Sequence, residues 1–185
     1  MNYRQDRKDF AQSLEAYLPE DAQEITFKER MLSLLAYDNC FERSLTHAHF
    51  TGSAWVVDPR QGKTLLTHHA KLDRWLQLGG HADGDANMAH VATRELREES
   101  GVSDFELVEP TIFDIDIHTI PPKNEIATHD HYDVRYLFRG DADGELQRNH
   151  ESKDLRWVAY EDVVKLIGEN NSILRMLNKS LEMAF

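Results

Sequence analysis

The chain has 185 residues, 41% apolar and 29% charged, which fits one globular unit and argues against a string of domains or a disordered chain. Its formal charge of −12 disfavours sequence-independent nucleic-acid binding, so an anionic ligand would need cations brought in beside it. The polar start MNYRQDRKDF and the want of an 18-residue apolar run point away from a signal peptide or a membrane span, leaving the cytoplasm as the expected location and no membrane partner.

Residues 4–18 place Phe10, Leu14, Tyr17 and Leu18 at helical spacing before Pro19, and residues 21–37 do the same with Ile25, Phe27, Met31, Leu34 and Leu35. These predict a helical N-terminal extension over residues 1–45. From His47 the pattern turns to strand formers: THAHFTGSAWVVD, a PRQGK turn and KTLLTHH read as a hairpin. A loop then leads to the apolar stretch Trp75–Leu78 and to Gly79-Gly80. A long helix is predicted over Ala86–Ser100, with Asp85 as the expected N-cap and Gly101 suited to the left-handed residue that ends it. Phe105–Ile120 and His129–Gly140 alternate as strands, Asp154–Val158 is a short strand, and 160–168 and 171–183 are closing helices. Leu174, Leu177 and Leu181 form a stripe that suits either a homodimer contact or internal packing. The element order predicts an α/β (α+β) fold, a mixed sheet flanked by helices, over residues 46–185.

On the long helix, Glu95, Glu98 and Glu99 fall within an arc of roughly 100°. Three carboxylates on one face repel, and hard divalent cations that prefer oxygen ligands would offset that repulsion. The competing explanation is a solvated face neutralised by Arg94 and Arg97.

The wider context bears on that choice. Gly80, five residues, Ala86, seven residues and then REL-REES-GV through Val102 resemble the Nudix box, with eight of its nine specified positions matched. The resemblance covers about Thr46 to Ile167. It implies a mixed sheet sandwiched between helices and hydrolysis of a diphosphate linkage in a nucleoside diphosphate joined to another moiety, with Mg²⁺ or Mn²⁺. It further implies metal ligation by Glu95, Glu98, Glu99 and the Gly79 carbonyl, with Arg94 orienting Glu95. Ala86 departs from the family glutamate, and Asp83 or Asp85 is near enough in sequence to stand in for it. Glu95 is the candidate to position or deprotonate water; a loop carboxylate, Glu151, Glu145 or Glu125, is the alternative base.

Asp114, Asp116 and His118 alternate with apolar residues, as do His129, His131, Asp133 and Arg135, so each strand has a polar face. If those faces meet they line a substrate pocket, with Arg135 as a phosphate clamp and His131 and the box-loop His81 as further substrate contacts. The histidines His68, His69 and His81 have no cysteine partner at zinc-site spacing. Two other functions stand beside hydrolysis: a nucleotide-sensing module that does not turn over, motivated by Ala86, and chemistry like that of isopentenyl diphosphate isomerase, which would need a cysteine such as Cys40 in the cavity.

Overall fold

The computed structural model describes residues 2–123, 126–150 and 152–183. Among these, α1 (Tyr3–Ala16) and α2 (Ala22–Leu34) precede β1 (Ala48–Asp58), β2 (Lys63–His69), β3 (Arg74–Leu76) and β4 (Leu78–His81). Next come α3 (Met88–Ser100), β5 (Glu106–Leu107), β6 (Asp114–Ile120), β7 (His129–Arg139), β8 (Ser152–Ala159), α4 (Tyr160–Ile167) and α5 (Asn171–Glu182). No helix among the described residues is long and apolar enough to cross a membrane.

The strands form one mixed sheet around β1. It pairs antiparallel with β2 and β4 and parallel with β7, the last from Ala48↔Asp130 through Val57↔Arg139. Beyond β2 lie β3 and β8, and β7 carries β5 and β6. Every residue of β1 is buried, because both sheet faces are covered. Side chains alternate across a strand, so Phe50, Ala54 and Val56 join Phe10, Leu14, Met31, Val91 and Leu96 in one core, while Trp55 and Val57 join Val163, Ile173, Met176 and Leu177 in another. Helices α1, α2 and α3 thus cover one face, and α4 and α5 cover the apolar end of the other. The stripe on α5 divides: Leu177 is core, and Leu181 is exposed.

Two departures from the sequence expectation bear on the site. The helix α3 begins at Met88 and its cap is Asn87, whose side chain accepts from the His90 backbone N–H at 3.0 Å. Asp85 is not the cap because its carboxylate is taken by the Asn87 N–H (2.9 Å) and the His90 ring (2.5 Å). The expected strand 105–120 is two strands, since Pro110 has no N–H to give a ladder. As expected, Gly101 ends α3 in the left-handed region at φ 68°.

Candidate active site

Helix α3 lies on β1 and β4 because its apolar side, Met88, Val91, Ala92 and Leu96, is buried in the first core. Each large apolar side chain so buried contributes about 1.5–3 kcal/mol, enough to fix the rotation of the helix. That rotation brings the glutamates of the other arc against β4. A Cβ on Gly80 would lie 2.4 Å from Glu95 Oε2, so only glycine lets the carboxylate rest on the strand. Next door, the Gly79 N–H donates to Glu99 Oε2 at 3.1 Å.

The three carboxylates span a gradient from core to solvent. Glu99 is 4% exposed, whereas the Glu98 side chain is 62% exposed. Glu95 lies between, and burial pushes its carboxyl above the usual carboxylate range against a 2.8 Å hydrogen bond from Arg94. The same Arg94 nitrogen donates to the His81 carbonyl at 2.7 Å, tying the helix to the end of β4. A merely solvated charged face would not bury Glu99. Clustered hard oxygen donors, one buried and one open to solvent, fit a hard divalent cation, and an added positive charge would relieve the cost of holding Glu95 ionised.

The polar faces of β6 and β7 do meet, residue for residue: Asp114↔Arg135, Asp116↔Asp133 and His118↔His131. On the parallel side β7 adds His49↔His131, Thr51↔Asp133 and Ser53↔Arg135. The centre of this strip is filled by its own charges. Arg135 is 2% exposed, its guanidinium 2.8 Å from both Asp114 and Asp133 and 3.4 Å from Asp116. Burial works against that charge, but Asp116, Asp133 and Asp114 together hold Arg135 above its ordinary pKa. Arg175 and Lys179 of α5 close on Asp114 from the sheet edge and reach Glu24 of α2. The phosphate-clamp expectation for Arg135 is therefore corrected: its nitrogens face carboxylates, and its work is to neutralise buried acids.

At the other end of the strip the side chains are histidines. Burial pushes the His131 ring down to about 2 and the His81 ring down to about 4, and it lowers His49 as well, so these rings are neutral near pH 7. His81 stands beside the box through its backbone, and His131 lies in the neighbouring cluster of rings, 4.9 Å away centroid to centroid.

The remaining expected residues are dispersed. Asp83 is held by Arg43 at 2.6 and 2.7 Å, and Ala86 is buried in the first core. Both oxygens of each aspartate proposed to replace the missing glutamate thus have other partners. Glu145 is exposed, and Glu151 and Glu125 lie outside the described residues. Cys40 is fully buried in the first core, and burial pushes its thiol up to about 11, which removes it as an isomerase acid or nucleophile. Trp55 is core, while Trp75 stacks on His68 with Arg156 over its ring at 4.5 Å. Sequence reasoning passed over Thr51, Ser53 and Gln77, which all donate to Asp133, and over His49. The alternation of β1 was the available signal, but only the β1–β7 register says which polar residues it meets.

A family model described as the NUDIX domain matches residues 48–178. No curated protein matches the chain in sequence. Among solved structures, a hydrolase of the NUDIX family from Clostridium perfringens is 25% identical, with 73% of this chain and 98% of that one covered and a TM-score of 0.51. A MutT protein from Methanosarcina mazei Go1 is 15% identical over 75% of this chain and 98% of that one, with a TM-score of 0.55. A bifunctional NMN adenylyltransferase/ADP ribose pyrophosphatase from Francisella tularensis, complexed with AMP and a Mn ion, is 15% identical. There 83% of this chain and 49% of that one are covered, with a TM-score of 0.51.

Proposed function

The chain belongs to the Nudix family and is a pyrophosphohydrolase of that type, and from that premise we propose that it cleaves the diphosphate linkage of a nucleoside diphosphate joined to another moiety, using Mg²⁺ or Mn²⁺. The observation that carries this reading is the glutamate arc of α3 pressed onto the Gly79-Gly80 backbone, with Glu99 buried and Glu98 open. Glu95, Glu98 and Glu99 are the residues that would hold the cation, with the Gly79 carbonyl as a further oxygen. The Francisella tularensis protein carries both AMP and a Mn ion, a pairing of ligand chemistries that suits a carboxylate trio here.

When bound, the divalent ion lowers the pKa of water and offsets charge building on the phosphoryl oxygens. The protein's own groups do the rest. Glu95 is the carboxylate placed to accept a hydrogen bond from the attacking water and take its proton, and Arg94 keeps that carboxylate in one rotamer by holding Oε1. Arg94 also fixes the helix relative to His81, so the water-facing carboxylate and the loop move as one piece. Glu98, at the solvent edge, would supply the open side of the oxygen set beside the buried Glu99.

Screening nucleotide sugars, ADP-ribose, dinucleoside polyphosphates and coenzyme A with Mg²⁺ or Mn²⁺ tests the proposal. Turnover of at least one is expected, and Glu98→Gln and Glu99→Gln each lower it by orders of magnitude with the fold intact. Tight binding of a nucleotide without turnover of any compound would instead make the chain a sensing module.

A further inference from the structure

We propose that His49, His129 and His131, with His81 as fourth ligand, form a binding site for Zn²⁺ or a similar borderline transition-metal ion, separate in place and chemistry from the glutamate arc. The side chains of His49, His129 and His131 each offer a nitrogen, and these nitrogens lie within 4.8 Å of one another. The ring centroids sit 5.0 Å (His49–His131), 5.1 Å (His49–His129) and 5.1 Å (His129–His131) apart. His81 is 4.9 Å from His131 and 5.2 Å from His49. Imidazoles sharing one tetrahedral zinc, with the metal about 2.0 Å from nitrogen and so about 3.2 Å from each centroid, stand about 5.2 Å apart. His49, His129 and His131 already stand at the spacing of a common centre, and His81 stands at that spacing from His49 and His131.

Two further observations point to a ligand. His49 is 4% exposed, yet its Nε2 is buried without a hydrogen-bond partner, and His131 Nε2 is in the same condition. Buried polar atoms are nearly always partnered, so two orphaned nitrogens on adjacent strands call for something between them. The tautomers also fit. His129 Nδ1 is 2.9 Å from the Ala127 carbonyl and His49 Nδ1 is 3.4 Å from the Leu45 carbonyl. A carbonyl only accepts, so each Nδ1 carries the hydrogen and each Nε2 keeps its lone pair. That arrangement, one ring nitrogen donating to a backbone carbonyl and the other free, is how metal-bound histidines are held.

The donor set decides which ion binds. Neutral imidazoles favour Zn²⁺, Ni²⁺ or Cu²⁺ over Mg²⁺, which prefers the oxygens of the glutamates. His118 is left out, because its Nδ1 is 3.4 Å from Asp116. The ligands come from β1, β4 and β7, and four of them close the coordination sphere, which is the form of a structural zinc site. An ion there clamps the end of β4 one residue beyond Gly80, where Arg94 already holds the His81 carbonyl.

The inference does not depend on the hydrolytic reading, and its test does not use activity. The full chain, stripped by chelator and held in excess Mg²⁺, is titrated with Zn²⁺ and separately with Co²⁺ as a visible probe. One equivalent is expected to bind, with the absorption of a four-coordinate nitrogen site. Long-range ¹H–¹⁵N spectra should show the Nε2 resonances of His49, His129 and His131 shifting together. His129→Gln, at a half-buried position, and His131→Gln should each weaken binding at least 10-fold, and Glu98→Gln should leave it unchanged. No uptake in the presence of Mg²⁺, uptake that follows Glu98, or uptake indifferent to both histidine variants would overturn the proposal.

Discussion

Substituting Gly80 by alanine separates the placement of a carboxylate from the stability of the fold. The new methyl would stand 2.4 Å from Glu95 Oε2, 2.6 Å from Cδ and 3.0 Å from Oε1. Ordinary contact begins near 3.4 Å, so the carboxylate must retreat by about 1 Å, and being the end of a flexible side chain it can do so without unfolding anything. The retreat breaks or lengthens the 2.8 Å bond from Arg94. A misplacement of about 1 Å in a reacting group costs about 100-fold in rate, or about 2.7 kcal/mol of barrier. The assay is kcat and KM on the best compound from the substrate screen, with thermal unfolding run in parallel. Gly80→Ala should lose about 100-fold in kcat while its melting temperature moves by no more than a few degrees. Unchanged kcat in a folded variant would refute the assignment of Glu95, and an unfolded variant would refute the claim that the clash is local.

Two further perturbations probe the polar strip. Arg135→Met leaves Asp114, Asp116 and Asp133 buried without their common partner, so chemical denaturation should show a loss of about 3–5 kcal/mol; a raised KM with stability untouched would restore its role as a phosphate clamp. Burial holds His131 at about 2, far below the value near 6.5 that it takes in the unfolded chain. The unfolded state therefore binds a proton that the folded state refuses. Stability should be full above pH 6.5 and fall on acidification by about 1.4 kcal/mol per pH unit from this group, reaching about 2 kcal/mol at pH 5. His49 adds in the same direction. Denaturation curves of the metal-free chain at pH 7 and pH 5 measure the drop, and His131→Gln should remove its share; an equal drop in that variant would mean the ring is not shielded.

The parts of the fold set by local chemistry were legible in the sequence. The arc of Glu95, Glu98 and Glu99, stopped by Gly101, marked α3 because helix period and left-handed cap are properties of neighbouring residues. The same locality misplaced its start, since whether Asp85 or Asn87 caps depends on what else Asp85 meets, here the His90 ring. Gly79 and Gly80 lie in a strand against their own propensity. They are there because β1 pairs with them and Glu95 needs the room, both long-range facts. Arg135 was expected on the polar face of its strand, but its partner Asp114 lies 21 residues away and Asp114 is shared with Arg175, 61 residues further on, beyond any local pattern. The histidine cluster was hidden for the same reason: His49 and His131 meet only through a parallel pairing of strands far apart in the sequence.

The account depends most on cation capture by the arc Glu95–Glu99, and Mn²⁺ binding followed by electron paramagnetic resonance reads it directly. With the full chain, Zn²⁺ at one equivalent and a methylene-bridged nucleoside diphosphate, free Mn²⁺ signal should fall on adding protein. Glu99→Gln should return it to the level of the ligand alone. A signal that does not fall for the folded parent chain, or that falls equally with Glu99→Gln, would contradict the assignment of this helix as the metal-binding element.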